Sequence, residues 1–548
     1  MDIRLSNSAS DSHSTKQYGL FATKSYAEGD EIFEESPLIK LSEGDARSLF
    51  KSSSLSQQST ATTSSILNNI ILPQSTLKEL DNDSQRISKL CGMIVALASY
   101  AIQHKTMNEE IKSKLMELYH PEFSTEEQNE KDAIELANLA IKCSREISAS
   151  DTSLDSMLSN QDESLLKVLL IYSCNSFENG RIYQKLSRIN HSCNPNAVVV
   201  EDPSGENDDV SILKAACDIK AGDEINISYL GKYLFSSYPI RQRLLKANKH
   251  FVCQCVRCKD DNNTGDLASR IPCPSCHPRT GRYLDEDVMF DDGDDSDEYG
   301  LKVSYATPKN GMMAEERSTN CPSCKGTTSV VADGSMKKKK EAMAITYMCK
   351  AEEKVFDHLN NGGSSKETKQ SGHDGTDTER EVDQQFYQMA TSICGQQHWT
   401  THFLNLSLIE ESLASFHSIL MDPAAVRDEE TMEEMFIDIA ECADGIGKAY
   451  KYAASLQLNI NPAHWLFDYT LGLARTLVGL GDSKSQKYSS TWIAKVEKYA
   501  EKFETNAMNK VVVALRDAWK REEGLVITGK GREVEEQKDD LSKRRKLG

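Results

Sequence analysis

The sequence predicts an α+β protein: a β-rich domain split by a helical insertion, a zinc-binding segment behind it, and an all-α C-terminal domain. Three observations predict this. Strand-like stretches at residues 18–41 stop and resume near 197–229, with helical periodicity between them. Seven of the fifteen cysteines fall into Cys-x-Cys-x-x-Cys and Cys-x-x-Cys spacings. The last third repeats apolar stripes at helical spacing, separated by short turns.

Taken in order, Gly19-Leu20-Phe21-Ala22 and Glu31-Ile32-Phe33 read as short strands around a Gly29-Asp30 turn. Residues 51–65 are rich in Ser, Thr and Gln and read as loop. Between 66 and 172, Ile87, Leu90, Cys91, Ile94 and Ala98 define one helix face and Ile111, Leu115 and Leu118 another. Strands return at 197–200, 210–214 and 224–229. Residues 285–298 hold nine carboxylates without the alternation of a calcium loop, so a solvated acidic loop is expected. The Lys337–Lys340 run and residues 357–380 read as flexible. Helices are expected near 382–395, 403–420, 430–456, 463–480 and 487–504, stacked as hairpins without a clean 34-residue repeat.

A net charge of −20 argues against a general nucleic-acid or anionic-membrane binder and favours a locally basic partner such as a Lys-rich protein tail. No N-terminal stretch has the charged-then-apolar layout expected of a secretory signal, and the longest apolar stretch, Met93 to Ile102, is broken by Ser99 and Tyr100. A cytosolic or nuclear location is therefore expected, where clustered cysteines point to metal rather than disulfides. The basic run Lys543-Arg544-Arg545-Lys546 fits a nuclear address and, equally, a solvated terminus.

Cys253, Cys255 and Cys258 can reach one tetrahedral zinc if a fourth thiolate joins them. Cys193 lies in Asn190-His191-Ser192-Cys193-Asn194-Pro195-Asn196, an irregular segment rich in hydrogen-bonding side chains. By themselves these residues leave Cys193 either a ligand or an isolated buried cysteine. Cys273-Pro-Ser-Cys276 and Cys321-Pro-Ser-Cys324 are two thiolate-presenting turns and predict a second, structural zinc. Cys91, Cys143, Cys174, Cys217, Cys394 and Cys442 stand singly and read as small core residues. His104, His120, His250 and His464 stand apart from ligand spacings. His398 and His402 share a helical spacing but lack a third ligand, so packing or surface roles are expected. Trp465, Phe467 and Tyr469 read as packing residues.

Three motifs in this order, Asn-His-Ser-Cys-x-Pro-Asn at 190–196, Gly222-Asp223-Glu224-Ile225-x-Ile227-x-Tyr229, and Phe251-x-Cys253-x-Cys255-x-x-Cys258, resemble the SET domain, most closely its SET-and-MYND branch. The resemblance covers residues 16–41 and 170–260, and is only architectural for the C-terminal helices. It implies a threaded β-rich SET core, a zinc-binding post-SET region in which Cys193 is the fourth ligand, and a TPR-like C-terminal domain. It implies a protein lysine methyltransferase using S-adenosylmethionine and zinc. Asn190 and His191 match the cofactor-contacting pair, Phe251 the aromatic on the adenine, and Lys16, Tyr18 and Gly19 the N-terminal cofactor loop. Asn175-Ser176-Phe177 matches a segment beside the cofactor and channel, and Tyr229 the tyrosine where cofactor pocket and lysine channel meet. The chain departs from the family at Gln17, where Gly is usual, and has no Cys or His between Leu41 and Leu90 to build a MYND finger.

The expected organisation is a SET N-terminal part at 1–45, helical insertion at 46–169, SET catalytic core at 170–235 and post-SET segment at 236–262. A zinc-ribbon-like segment at 263–330, linker at 331–380, helical domain at 381–525 and charged tail at 526–548 follow. The expected partner is a protein substrate with an exposed lysine, with a further protein partner on the C-terminal helices and neither nucleic acid nor membrane. The alternative is an inactive SET-fold zinc protein acting as a scaffold, which Gln17 favours and the set Tyr229, Asn190 and His191 disfavours.

Overall fold

The computed structural model describes residues 2–5, 18–41, 70, 72–80, 83–122, 128–148, 162–177, 180–201, 210–259, 266–272, 300–305, 317–320, 327–329, 351–352, 354–355, 379–421, 429–480 and 491–499. Its N-terminal half holds strands β1 (Asp2–Leu5), β2 (Tyr18–Phe21), β3 (Glu31–Glu35) and β4 (Ile39–Lys40). Helices α1 (Gln74–Glu79), α2 (Ser84–Gln103), α3 (Glu109–Met116), α4 (Gln128–Ile147) and α5 (Asp162–Asn175) follow. Strands return as β5 (Arg181–Ile182), β6 (Asn190–His191), β7 (Ala197–Glu201), β8 (Ser211–Ala215) and β9 (Glu224–Ile227).

These strands form three small sheets, ordered β1-β2-β9-β6, β3-β8-β7 and β4-β5. Residue alternation explains β9: Ile225 and Ile227 point into a core with Leu20, Ile32, Tyr183, Leu186, Ile189 and Leu213, while Glu224 and Asn226 do not. The parallel β6–β9 pairing is only two residues long, Asn190 opposite Asn226 and His191 opposite Ile227. Beyond it the Asn196 side chain replaces a strand, accepting from Asn226 N at 2.8 Å and donating to the Glu224 carbonyl at 2.9 Å. The hydrogen-bond-rich character expected of residues 190–196 is thus present, and its first two residues are also a strand.

The insertion forms its own helical core. Helix α3 begins where Asn108 accepts from Ile111 N at 2.8 Å, with Glu109 and Glu110 in the first turn. The expected single apolar face of α2 is corrected by burial on every side from Leu90 to Ala101. Helices α4 and α5 and strand β4 pack around it, and a helix enclosed this way needs apolar or small residues all round.

Helix α6 (Tyr238–Lys249) leads from the β core toward the C-terminal half and ends at His250, in the left-handed region at φ 61°. Strands β10 (Asp266–Pro272), β11 (Gly300–Tyr305), β12 (Arg317–Asn320) and β13 (Thr327–Ser329) form a four-stranded antiparallel sheet. Helices α7 (Glu379–Cys394), α8 (Trp399–Met421), α9 (Glu429–Ser455) and α10 (Pro462–Leu480) then stack on their sequence neighbours. Their core is continuous with residues of α6 and with Cys193, Cys253 and Cys258. Helix α8 starts earlier than the pattern predicted because Trp399, Phe403 and Leu404 are buried in its first turns. His398 and His402 are buried packing residues, His402 stacking on Tyr452 at 4.3 Å between ring centroids. No helix among the described residues is long and apolar enough to cross a membrane.

Candidate active site

Tyr229 follows β9 and is held at three points. Its backbone N–H donates to His191 Nδ1 at 3.0 Å, its hydroxyl donates to the Ile189 carbonyl, and its ring lies 5.3 Å from the His191 ring. Burial pushes the phenol pKa well up, so the hydroxyl stays a protonated donor. The segment before β6 is fixed in turn by Glu35, whose carboxylate accepts from the backbone N–H groups of Gln184, Lys185 and Leu186 at 2.9–3.1 Å.

Because His191 Nδ1 accepts from Tyr229 N, the ring proton sits on Nε2, which donates to Cys193 Sγ at 3.2 Å. Both ring nitrogens of His191 are therefore engaged inside the protein, and its side chain works as a strut between Tyr229 and Cys193. Asn190 donates from Nδ2 to Glu224 Oε1 at 2.6 Å. A Cβ at Gly19 would run into Glu224 Oε1 and stand 3.1 Å from Asn190 Nδ2, so β2 lies flush against this pair and a side chain there would push the Glu224 carboxylate aside. Phe251 completes the corner, its ring 6.1 Å from His191 and 6.3 Å from Tyr229.

A cleft of about 960 Å³, counted out to open solvent, is lined in part by Tyr229. Asn175, Ser176 and Phe177 wall it from the end of α5, Val198 from β7, Lys249 from α6, and His464 and Trp465 from α10. Asn175 is held rigidly, donating to the Tyr119 and Ile171 carbonyls at 2.8 and 2.7 Å. Lys249 Nζ donates to the Cys174 carbonyl at 2.8 Å and stands 5.6 Å from the Tyr229 ring centroid. The singleton-cysteine expectation is corrected here: Cys174 is a wall of this cleft and Cys217 is half-exposed in a turn, while Cys91, Cys143, Cys394 and Cys442 are buried. Lys249, His464 and Trp465 were not singled out as site residues, since nothing in their sequence neighbourhoods links them to Tyr229.

The cysteine quartet lies directly behind. The Sγ atoms of Cys193, Cys253, Cys255 and Cys258 fall within 4.8 Å of one another, and among the described residues no other such group of His, Cys, Asp or Glu donors occurs. Three N–H groups aim at the sulfurs: His191 Nε2 at Cys193, Cys193 N at Cys255 (3.3 Å), and Gln242 Nε2 at Cys258 (3.2 Å). Such donors stabilise thiolate charge. Four clustered thiolates with supporting donors fit a tetrahedral zinc. Lys16, Gln17 and the four cysteines Cys273, Cys276, Cys321 and Cys324 lie outside the described residues. The backbone of Tyr18 is in β2.

Residues 17–230 match the family model described as SET domain. The chain carries a SET domain. Its relatives include the histone-lysine N-methyltransferase SET5 of Saccharomyces cerevisiae, 29% identical over 27% of this chain and 26% of that protein. The SET domain-containing protein SmydA-8, isoform A, of Drosophila melanogaster is 39% identical over 16% of this chain and 17% of its own. The histone-lysine N-methyltransferase SMYD3 of Mus musculus is 33% identical over 16% and 18%. The matched segments thus span about a quarter or less of these relatives, and the SET domain here is related to the SET-and-MYND branch.

Proposed function

We propose that this chain is a protein lysine methyltransferase that draws on S-adenosylmethionine, with Tyr229 at its centre. The observation that carries this reading is the thrice-anchored Tyr229 at the head of a cleft. The presence of a SET domain related to proteins named histone-lysine N-methyltransferase supports it. When bound, S-adenosylmethionine supplies a methyl group on a sulfonium centre. Lys16, Tyr18, Gly19, Asn190, His191 and Phe251 would hold it: Phe251 as an aromatic platform, Gly19 by close backbone approach, and His191 by fixing the wall.

The chain's own task is alignment. Asn175 and Phe177 line the approach of the substrate lysine, and the Tyr229 hydroxyl and nearby carbonyls orient its amine. A half-apolar channel favours the neutral amine over the ammonium. Cys193, Cys253, Cys255 and Cys258 would hold a structural zinc that braces Tyr229 through His191, and Cys273, Cys276, Cys321 and Cys324 a second one. The substrate is a protein with an exposed lysine, histone or otherwise, met in the cytoplasm or nucleus, and the C-terminal helices offer a surface for a further protein partner.

Isothermal titration of the zinc-replete protein with S-adenosylmethionine tests the reading. Binding is expected to persist in Tyr229→Phe and to weaken about 10- to 100-fold in Phe251→Ala, as loss of an aromatic platform for the adenine implies. A folded, metal-loaded protein that binds no S-adenosylmethionine would sink the enzyme reading and leave the scaffold.

A further inference from the structure

The cleft already contains an amine. Lys249 is the last residue of α6, and the left-handed turn at His250 sends the chain away, so the side chain extends back along the cleft wall. Its Nζ donates to the Cys174 carbonyl and stands 5.6 Å from the centroid of Tyr229. The same ring neighbours His191 and Phe251, with centroids 5.3 and 6.3 Å away. Tyr229 is therefore a shared neighbour of the residues read as the cofactor wall and of the amine of the chain's own lysine.

The groups around this amine are a carbonyl, a phenol kept protonated by burial, and the Cys174 thiol, pushed by burial up to about 12. Burial lowers the Lys249 pKa, although Cys174 acts in the other direction. Once it loses its proton, the amine can donate one N–H to the Cys174 carbonyl and keep a lone pair for another partner. That is the state a methyl acceptor needs.

We propose that Lys249 is itself a methyl acceptor of this cleft, a self-methylation site reached within a single chain; the inference rests on the methyltransferase reading above. The Nζ lone pair bonds to the methyl carbon of a sulfonium donor as the carbon–sulfur bond breaks. The sulfur leaves with that electron pair as a neutral thioether, the positive charge passes to nitrogen, and the methylammonium releases a proton to solvent. The monomethylated amine retains an N–H for the Cys174 carbonyl.

The test uses the full chain and S-adenosylmethionine with a deuterated methyl group, followed by digestion and tandem mass spectrometry. Label is expected on Lys249, at a rate unchanged on dilution of the protein. Label at that peptide should disappear in Lys249→Arg and fall sharply in Tyr229→Phe, while calorimetry shows that both variants still bind S-adenosylmethionine. A second readout needs no turnover. Saturating S-adenosylhomocysteine should shield Lys249 from acetic anhydride and leave Lys232, whose side chain is half-exposed, as reactive as before.

Three results would overturn the proposal: no label on Lys249 in protein that binds the donor, labelling that accelerates with protein concentration, or acetylation of Lys249 indifferent to S-adenosylhomocysteine. A protein that binds no S-adenosylmethionine at all fails the methyltransferase reading first, and this proposal with it.

Discussion

His191 has more to do than any other side chain near Tyr229, because each ring nitrogen serves a different partner. Replacing it with Ala leaves the buried Tyr229 N–H without an acceptor, at a cost of about 1–3 kcal/mol. The same change removes a donor to Cys193, so zinc affinity should fall about 10- to 100-fold in a chelator competition. Unchanged zinc affinity would show that the strut is incidental. Tyr229→Phe loses one hydroxyl hydrogen bond, worth about 1 kcal/mol of stability by denaturant titration, but methyl transfer should fall about 100-fold with donor binding retained. Equal turnover by the variant would remove Tyr229 from the centre of the mechanism. At this scale the sequence exposes Tyr229, Asn190, His191 and the cysteines through motif order. It hides Lys249, which sits in Lys246-Ala247-Asn248-Lys249-His250 and reads as a solvated helix end. It hides Trp465 and His464 too, because their place at the cleft depends on α10 returning to a strand core more than 200 residues earlier.

Among the elements, α6 couples most parts of the site. Gln242 on its inner face accepts from Cys253 N at 2.8 Å and donates to the Cys253 carbonyl and Cys258 Sγ. Gln242→Ala should therefore loosen the metal about 10-fold or more, read again by chelator competition. Helix α2 makes a different demand. With Ile94 fully enclosed, Ile94→Ala should destabilise by about 2–5 kcal/mol in urea. A loss below about 1 kcal/mol would mean that the insertion relaxes around the cavity. The insertion was legible as helical from its period. Its full enclosure was not, since Ser99 and Tyr100 read as breaks in the apolar run and are in fact buried.

Over the whole molecule, the two halves are joined by polar ties rather than by apolar packing alone. Tyr452 donates to the Phe235 carbonyl at 2.6 Å, Arg270 to the Ser455 carbonyl at 2.9 Å, and Asn459 N to Asn194 Oδ1 at 2.6 Å. Within the C-terminal half there is also an ionic contact: His398 Nε2 lies 3.5 Å from Glu352 Oε1, both buried. Burial alone pushes the His398 pKa down, but Cys394 and Glu352 together raise it to about 9. A folded pKa above the unfolded value near 6.5 makes this contribution complete below about pH 6.5 and lost as pH rises through about 9, by at most about 3 kcal/mol. Melting temperature should decline across that window, and His398→Gln should flatten the decline. A melting profile that is the same in both proteins would assign the stability elsewhere. None of these ties could be read from sequence, because each joins residues far apart whose types are ordinary by themselves.

The segment from Asn190 to Asn196 carries one more implication, for how this protein can change over generations. Asn190 holds Glu224, His191 holds Tyr229 and Cys193, and Ser192 takes the N–H of Asn194. Cys193 joins the thiolate quartet, Asn194 reaches the C-terminal helices, and Asn196 stands in for a strand beside β9. Five of seven neighbouring side chains thus answer to other parts of the molecule, and Ser192 ties the segment to itself. No single replacement among them is silent, and a compensating replacement would have to arise in a distant segment at the same time. Replacements in this stretch are therefore expected to cost more than replacements at solvent-facing positions of the helices around it.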